Sequence, residues 1–124
     1  MSYAIVYSSQ TGNTKQLAET LRETLPQEDC RYFGTPAEAA AEADTLYVGF
    51  WTDRGHADAG CNAFLKTLRG KKVFLFGTAG FGGSAEYFAN ILSAVQAELD
   101  PSNTVVGTYM CQGRMPQSVR QRYE

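Results

Sequence analysis

The stretch VYSSQTGNTKQLAETL, residues 6–21, decides the fold. A β-branched and aromatic run stops at hydroxyl residues, passes a single glycine, and becomes an amphipathic pattern with Leu17, Ala18 and Leu21 at helical spacing. A strand turns into a helix here. Gly12, Asn13 and Thr14 are ordinary turn and cap residues for such a change of direction.

Working outward, the same alternation repeats along the chain. Residues 3–7 (YAIVY) read as a strand, 13–25 as a helix stopped by Pro26, and 30–33 as a short second strand. After Thr35 and Pro36, a cap with proline at the first helical position, AEAAAEA predicts a helix. Residues 45–51 (TLYVGFW) are unbroken in apolar character, as expected of a third strand buried on both faces. An irregular segment TDRGHADAG follows, then a helix near 61–69, a fourth strand at 72–76 and a glycine-rich loop GTAGFGGS. Residues 84–99 carry Phe88, Ile91, Leu92, Val95 and Leu99 in helical register, and 104–110 form the fifth strand. Strand and helix alternating in this way mean βαβ units, hence a parallel sheet covered on both faces.

Composition narrows the function classes. The 124 residues, 44% hydrophobic and 19% charged, are enough for one core, so residues 1–124 are read as a single globular domain. Eleven basic and thirteen acidic residues leave a formal charge of −2, which gives no footprint for nucleic acid or an anionic membrane surface. The apolar runs are strand-length and the first residues lack a signal-type pattern, so a cytoplasmic location is the expectation. Cys30, Cys61 and Cys111 are widely spaced and form no C-x-x-C pair, so they are read as reduced packing thiols rather than a disulfide framework or a metal site.

In a parallel sheet wound in both directions, the binding crevice lies beyond the carboxyl ends of the strands. The loops after strands one, three and four are therefore the ones that matter: SSQTGNT, TDRGHADAG and GTAGFGGS. The first has the makings of a phosphate site. Hydroxyls of Ser8, Ser9, Thr11 and Thr14 surround Gly12 at a helix start, where unpaired N–H groups and the helix dipole favour an anion. It matches neither G-x-x-x-x-G-K-[ST] nor G-x-G-x-x-G, and it contains no lysine, so it suits one terminal phosphate rather than a polyphosphate with metal.

Ser9-Gln10-Thr11-Gly12-Asn13-Thr14, in S-x-T-G-N-T form after a first strand, resembles the phosphate loop of flavodoxins, and the resemblance extends over nearly the whole chain. It implies a flavodoxin-like α/β fold: a doubly wound five-stranded parallel sheet of order 2-1-3-4-5 with helices on both faces. It also implies one non-covalently bound flavin mononucleotide (FMN), held at its phosphate by Ser8 through Thr14. Gly77-Thr78-Ala79-Gly80-Phe81-Gly82 is similar to the loop whose aromatic stacks on the outer flavin face, which makes Phe81 the candidate there. Trp51 is the candidate for the inner face, or else a core residue while Thr52, Asp53 and Arg54 shape the ring site; it stands closer to its strand than in many flavodoxins. Gly55 and the residues before it match the peptide that turns a carbonyl toward the flavin.

The function implied is electron transfer, one electron at a time, to or from a partner reductase, by a monomer that is a carrier rather than an enzyme in its own right. A small FMN-dependent reductase and a partner-binding domain with an empty site are the alternatives. No cation stands inside SSQTGNT or GTAGFGGS, although Lys15 and Arg54 are near, so nothing there favours added negative charge on the ring. Two departures from the family stand out. The charge is nearly balanced where flavodoxins are acidic, and MPQSVRQRYE begins a last helix after Pro116 that reaches Glu124 within about two turns, short for the family or shortened.

Other chemistry finds little support. His56 is the only histidine and is read as a solvated loop residue; Asp53 and Asp58 are read as turn caps rather than a carboxylate pair. Cys61, near a helix start, is read as packing, and Tyr87 as either core cover or a ligand contact.

Overall fold

The computed structural model describes residues 2–8, 12–53, 56–79 and 85–112. Within them, β1 (Tyr3–Tyr7) leads into α1 (Asn13–Thr24), β2 (Cys30–Gly34), β3 (Thr45–Asp53), β4 (His56–Ala57), α2 (Ala59–Leu65), β5 (Lys72–Ala79), α3 (Ala85–Gln96) and β6 (Thr104–Gln112). The long strands form one parallel sheet in the order β2-β1-β3-β5-β6, and β4 pairs antiparallel with β3 at its far end. The five-strand order expected from the sequence is present, with one short strand added.

Two local readings change. AEAAAEA folds as a short 3-10 helix, Glu38–Glu42, rather than an α-helix. The run is short and ends at Ala43, which is extended; Ala40 within it and Ala43 after it are both fully buried. The segment after the third strand pairs back on it: Thr52 pairs with Ala57 and Asp53 with His56, so β3 runs two residues past Trp51 and β4 returns beside it as a hairpin. Residues 113–124, with the expected last helix, lie outside the described residues.

Alternation along the strands divides the core in two. Ala4 and Val6 of β1, Leu46, Val48 and Phe50 of β3, and Val73 and Leu75 of β5 pack against α2 and α3. Ile5, Tyr47 and Phe76 turn to the other face, where Leu17, Ala18 and Leu21 of α1 cover them. A strand buried on both faces has no polar side to fix its register. Reciprocal size pairing supplies that register here. Gly49 of β3 stands opposite Phe76 of β5, and Phe50 opposite Gly77, so each ring lies over the neighbouring strand's glycine, one pair per face. Phe74 opposite Gly107 repeats the device between β5 and β6.

A side chain at these glycines has nowhere to go. A Cβ on Gly77 would enter the Phe50 ring and come within 2.9 Å of Met110 Sδ, whereas one on Gly60 in α2 would lie 3.7 Å from Asp58 Oδ2, ordinary contact. Gly77→Ala is therefore expected to lower the unfolding free energy by about 1–3 kcal/mol through overpacking. Gly60→Ala is expected to raise it by about 0.4–1 kcal/mol through reduced unfolded-state entropy. Urea unfolding of the two variants checks the opposite signs.

Candidate functional site

The connections change sides between β1 and β3: α1, after β1, covers one face, while α2 and α3 cover the other. The crevice at such a switch point opens at the carboxyl ends of those strands. Four described pieces of chain meet there. They are Ser8 after β1, the N-terminus of α1, the β3–β4 hairpin, and the end of β5 at Thr78 and Ala79.

The helix entry is built on backbone. Gly12 takes a left-handed conformation, φ 91°, which an L side chain adopts with difficulty, and its carbonyl accepts the N–H of Gln16 at 3.0 Å as the first helical bond. The N-cap residue is glycine, which has no side chain with which to cap the helix. The first-turn N–H groups have no partners within the helix itself, and the positive end of its dipole lies at the same place. That is the donor set a phosphate needs. Lys15, in the same turn, is exposed.

The hydroxyls are placed less simply than their type suggests. Thr14 is buried, its Oγ1 donating to the Phe50 carbonyl at 3.3 Å and lying 3.0 Å from Thr78 Oγ1, so it joins the start of α1 to the ends of β3 and β5. Ser8 Oγ donates to Asp58 Oδ2 at 2.5 Å. In this arrangement both point into the framework. Ser9, Gln10 and Thr11 lie outside the described residues, as do Arg54, Gly55, Gly80, Phe81 and Gly82.

The hairpin carries the rest. Trp51 is half-buried and pairs with Thr78 of β5. Asp53, paired with His56, brings the strand to the two-residue connection at 54–55. The Thr52 hydroxyl is buried and has no hydrogen-bond partner among the described residues. A polar group in that position costs about 1–3 kcal/mol until something pairs with it. An orphaned donor in this hairpin, beside the N-terminus of a helix, fits a ligand with a phosphate at one end and polar ring edges at the other.

Asp58 is the residue that sequence reasoning undervalued. It caps α2 through Cys61 N–H, as a loop aspartate is expected to, but it also accepts from Ser8 and from Trp51 N–H at 3.2 Å. Its place before Ala59 and Gly60 signals the cap; only the fold brings Ser8 to it. Cys61 is fully buried, and burial first, then the nearby Asp58 charge, pushes its thiol far above the usual range, so it stays protonated packing. His56 is exposed, and Tyr87 packs against the α2/α3 core. Among the described residues no group of three or more His, Cys, Asp or Glu is arranged to hold a metal ion.

Comparison with known proteins gives consistent relatives. The family model for the flavodoxin domain matches residues 4–124. A flavodoxin-like domain-containing protein, BilS, of Clostridium symbiosum (strain WAL-14163) is 46% identical over 141 residues, covering 99% of this chain and 74% of that protein. The two-electron reduced flavodoxin of Megasphaera elsdenii, 26% identical, superposes with a TM-score of 0.66 over 94% of this chain and 89% of its own. A flavoprotein of Lactobacillus acidophilus NCFM, solved in complex with FMN, shares the fold at TM-score 0.66 and 16% identity, covering 88% of this chain and 92% of its own.

The Thr14 hydroxyl offers a test of this framework. Thr14→Val keeps the volume but leaves the Phe50 carbonyl and the Thr78 hydroxyl buried without it, which is expected to cost about 1–3 kcal/mol. Thr20→Val, which removes an exposed hydroxyl bonded only back to Gln16 O, is expected to stay within about 0.5 kcal/mol of the parent. Chemical unfolding of the apoprotein variants measures both.

Proposed function

The chain belongs to the flavodoxin domain family, and from that premise we propose that it binds one FMN without covalent attachment and carries single electrons to or from a partner reductase. The observation that carries this reading is the convergence at the switch point. The N-terminus of α1, entered through left-handed Gly12, stands beside the hairpin that bears Trp51 and Thr52 and beside the end of β5, Thr14 in its first turn reaching both Phe50 O and Thr78 Oγ1.

Each part has a task toward the cofactor. The first-turn amides and the dipole of α1 hold the phosphate, with Ser9, Thr11 and Asn13 adding side-chain donors. Trp51 and Phe81 bracket the ring from the two loops, and the hairpin around Thr52–Gly55 supplies backbone and hydroxyl partners to its polar edge. Bound FMN supplies the redox chemistry, while the protein sets its potential and leaves one edge accessible to a partner. Nearly balanced charge, −2 overall, makes long-range steering of that partner weak, so contact shape decides the encounter. No helix among the described residues is long and apolar enough to cross a membrane.

The reading separates from its alternatives by colour and by electron count. Purified chain mixed with FMN and desalted is expected to stay yellow. Anaerobic redox titration is expected to resolve two one-electron steps, with no consumption of reduced nicotinamide by the chain alone. A single two-electron step with rapid nicotinamide oxidation makes the chain a reductase, and a colourless product makes it a partner-binding domain.

A further inference from the structure

Asp58 is 3% exposed, and its carboxylate gathers donors from three parts of the chain. Oδ2 accepts Ser8 Oγ at 2.5 Å and Cys61 N–H at 3.2 Å, while Oδ1 accepts Trp51 N–H at 3.2 Å. Asp58 N–H in turn donates to the Trp51 carbonyl at 3.0 Å, so the residue clamps both backbone groups of Trp51 and closes the hairpin at its base. Ser8 is itself fixed on the other side, its N–H donating to the Gly49 carbonyl at 3.0 Å. The first loop thus leaves the sheet from a residue bolted to the base of the hairpin.

A cap needs only the Cys61 contact; the other two donors do not serve α2. A buried carboxylate that loses a donor is costly, because charge-assisted bonds are the strong ones. Moving Ser8 without moving the hairpin therefore breaks a bond that Asp58 cannot easily replace. We propose that Asp58 is a positioning residue that couples the phosphate loop to the ring-side hairpin, so that the state of Ser8 in one loop sets how well the other receives the flavin ring. This rests on the FMN reading above and adds a connection between the two ends of that site.

The signature of coupling is an effect that crosses from one loop to the other. Riboflavin lacks the phosphate, so its affinity reports the ring end. Fluorescence quenching titrations with riboflavin and FMN on the parent, Ser8→Ala, Ser8→Thr, Asp58→Asn and the Ser8→Ala/Asp58→Asn pair decide the matter, with apoprotein melting recorded for each. Ser8→Ala is expected to weaken riboflavin at least fivefold, the low end of ordinary coupling between sites. Ser8→Thr restores the affinity, and the pair is no weaker than Asp58→Asn alone by more than about twofold, since each change removes the same charge-assisted bond between the two residues. Asp58→Asn also weakens the α2 cap, so the Ser8 variants, judged against their own melting points, carry the decision. Riboflavin affinity unchanged by Ser8→Ala, or losses that add in the pair, overturns the coupling while FMN binding by the parent stands. A parent that binds no FMN overturns both.

Discussion

The register between β3 and β5 is the constraint on which the rest depends. Both strands are buried on both faces, so hydrophobic patterning alone would tolerate a slip. The reciprocal pairs of Gly49 with Phe76 and Phe50 with Gly77 do not, because a slip drives a ring into a side chain. With that register held, Trp51 and Thr78 end level with each other, and Thr14 at the head of α1 reaches Phe50 and Thr78 at once. The crevice is thus a consequence of how the centre of the sheet is packed.

Around the crevice, the chain separates holding the framework from offering donors. Thr14 and Ser8 are hydroxyl residues of the kind that invite a phosphate reading, yet in this structure each is committed inward, one to the strand ends and one to Asp58. What α1 brings to the crevice is the backbone of its first turn, entered through the left-handed turn at Gly12. Backbone donors held this way cost no side-chain ordering when a ligand arrives, which favours preorganised binding. Cys61 belongs to the same economy of position: it donates an N–H to Asp58 while its buried thiol is kept neutral.

Much of this was legible in residue order. The change of period at Gly12 gave a strand and a helix, and the apolar run ending at Trp51 gave a central strand. Their alternation gave the parallel sheet, and the flavodoxin resemblance its order. The 3-10 turn at Glu38–Glu42 was misread because alanine and glutamate favour an α-helix, whereas this run is short and ends at Ala43, which is extended. The hairpin was missed because TDRGHADAG reads as an irregular segment, although two residues ending in glycine between Asp53 and His56 are also a hairpin signal. Asp58 was legible as a cap from its neighbours, but not as a tie to Ser8, since the two are 50 positions apart and meet only when β1 pairs with β3.

The central claim is that the N-terminus of α1 holds the phosphate of FMN, and affinity with and without that phosphate tests it most directly. Dissociation constants for FMN and riboflavin, taken side by side from quenching of flavin fluorescence, should differ by well over tenfold in favour of FMN, given about 1.5–3 kcal/mol for each hydrogen bond to a charged group. Equal affinity for the two flavins would contradict the account.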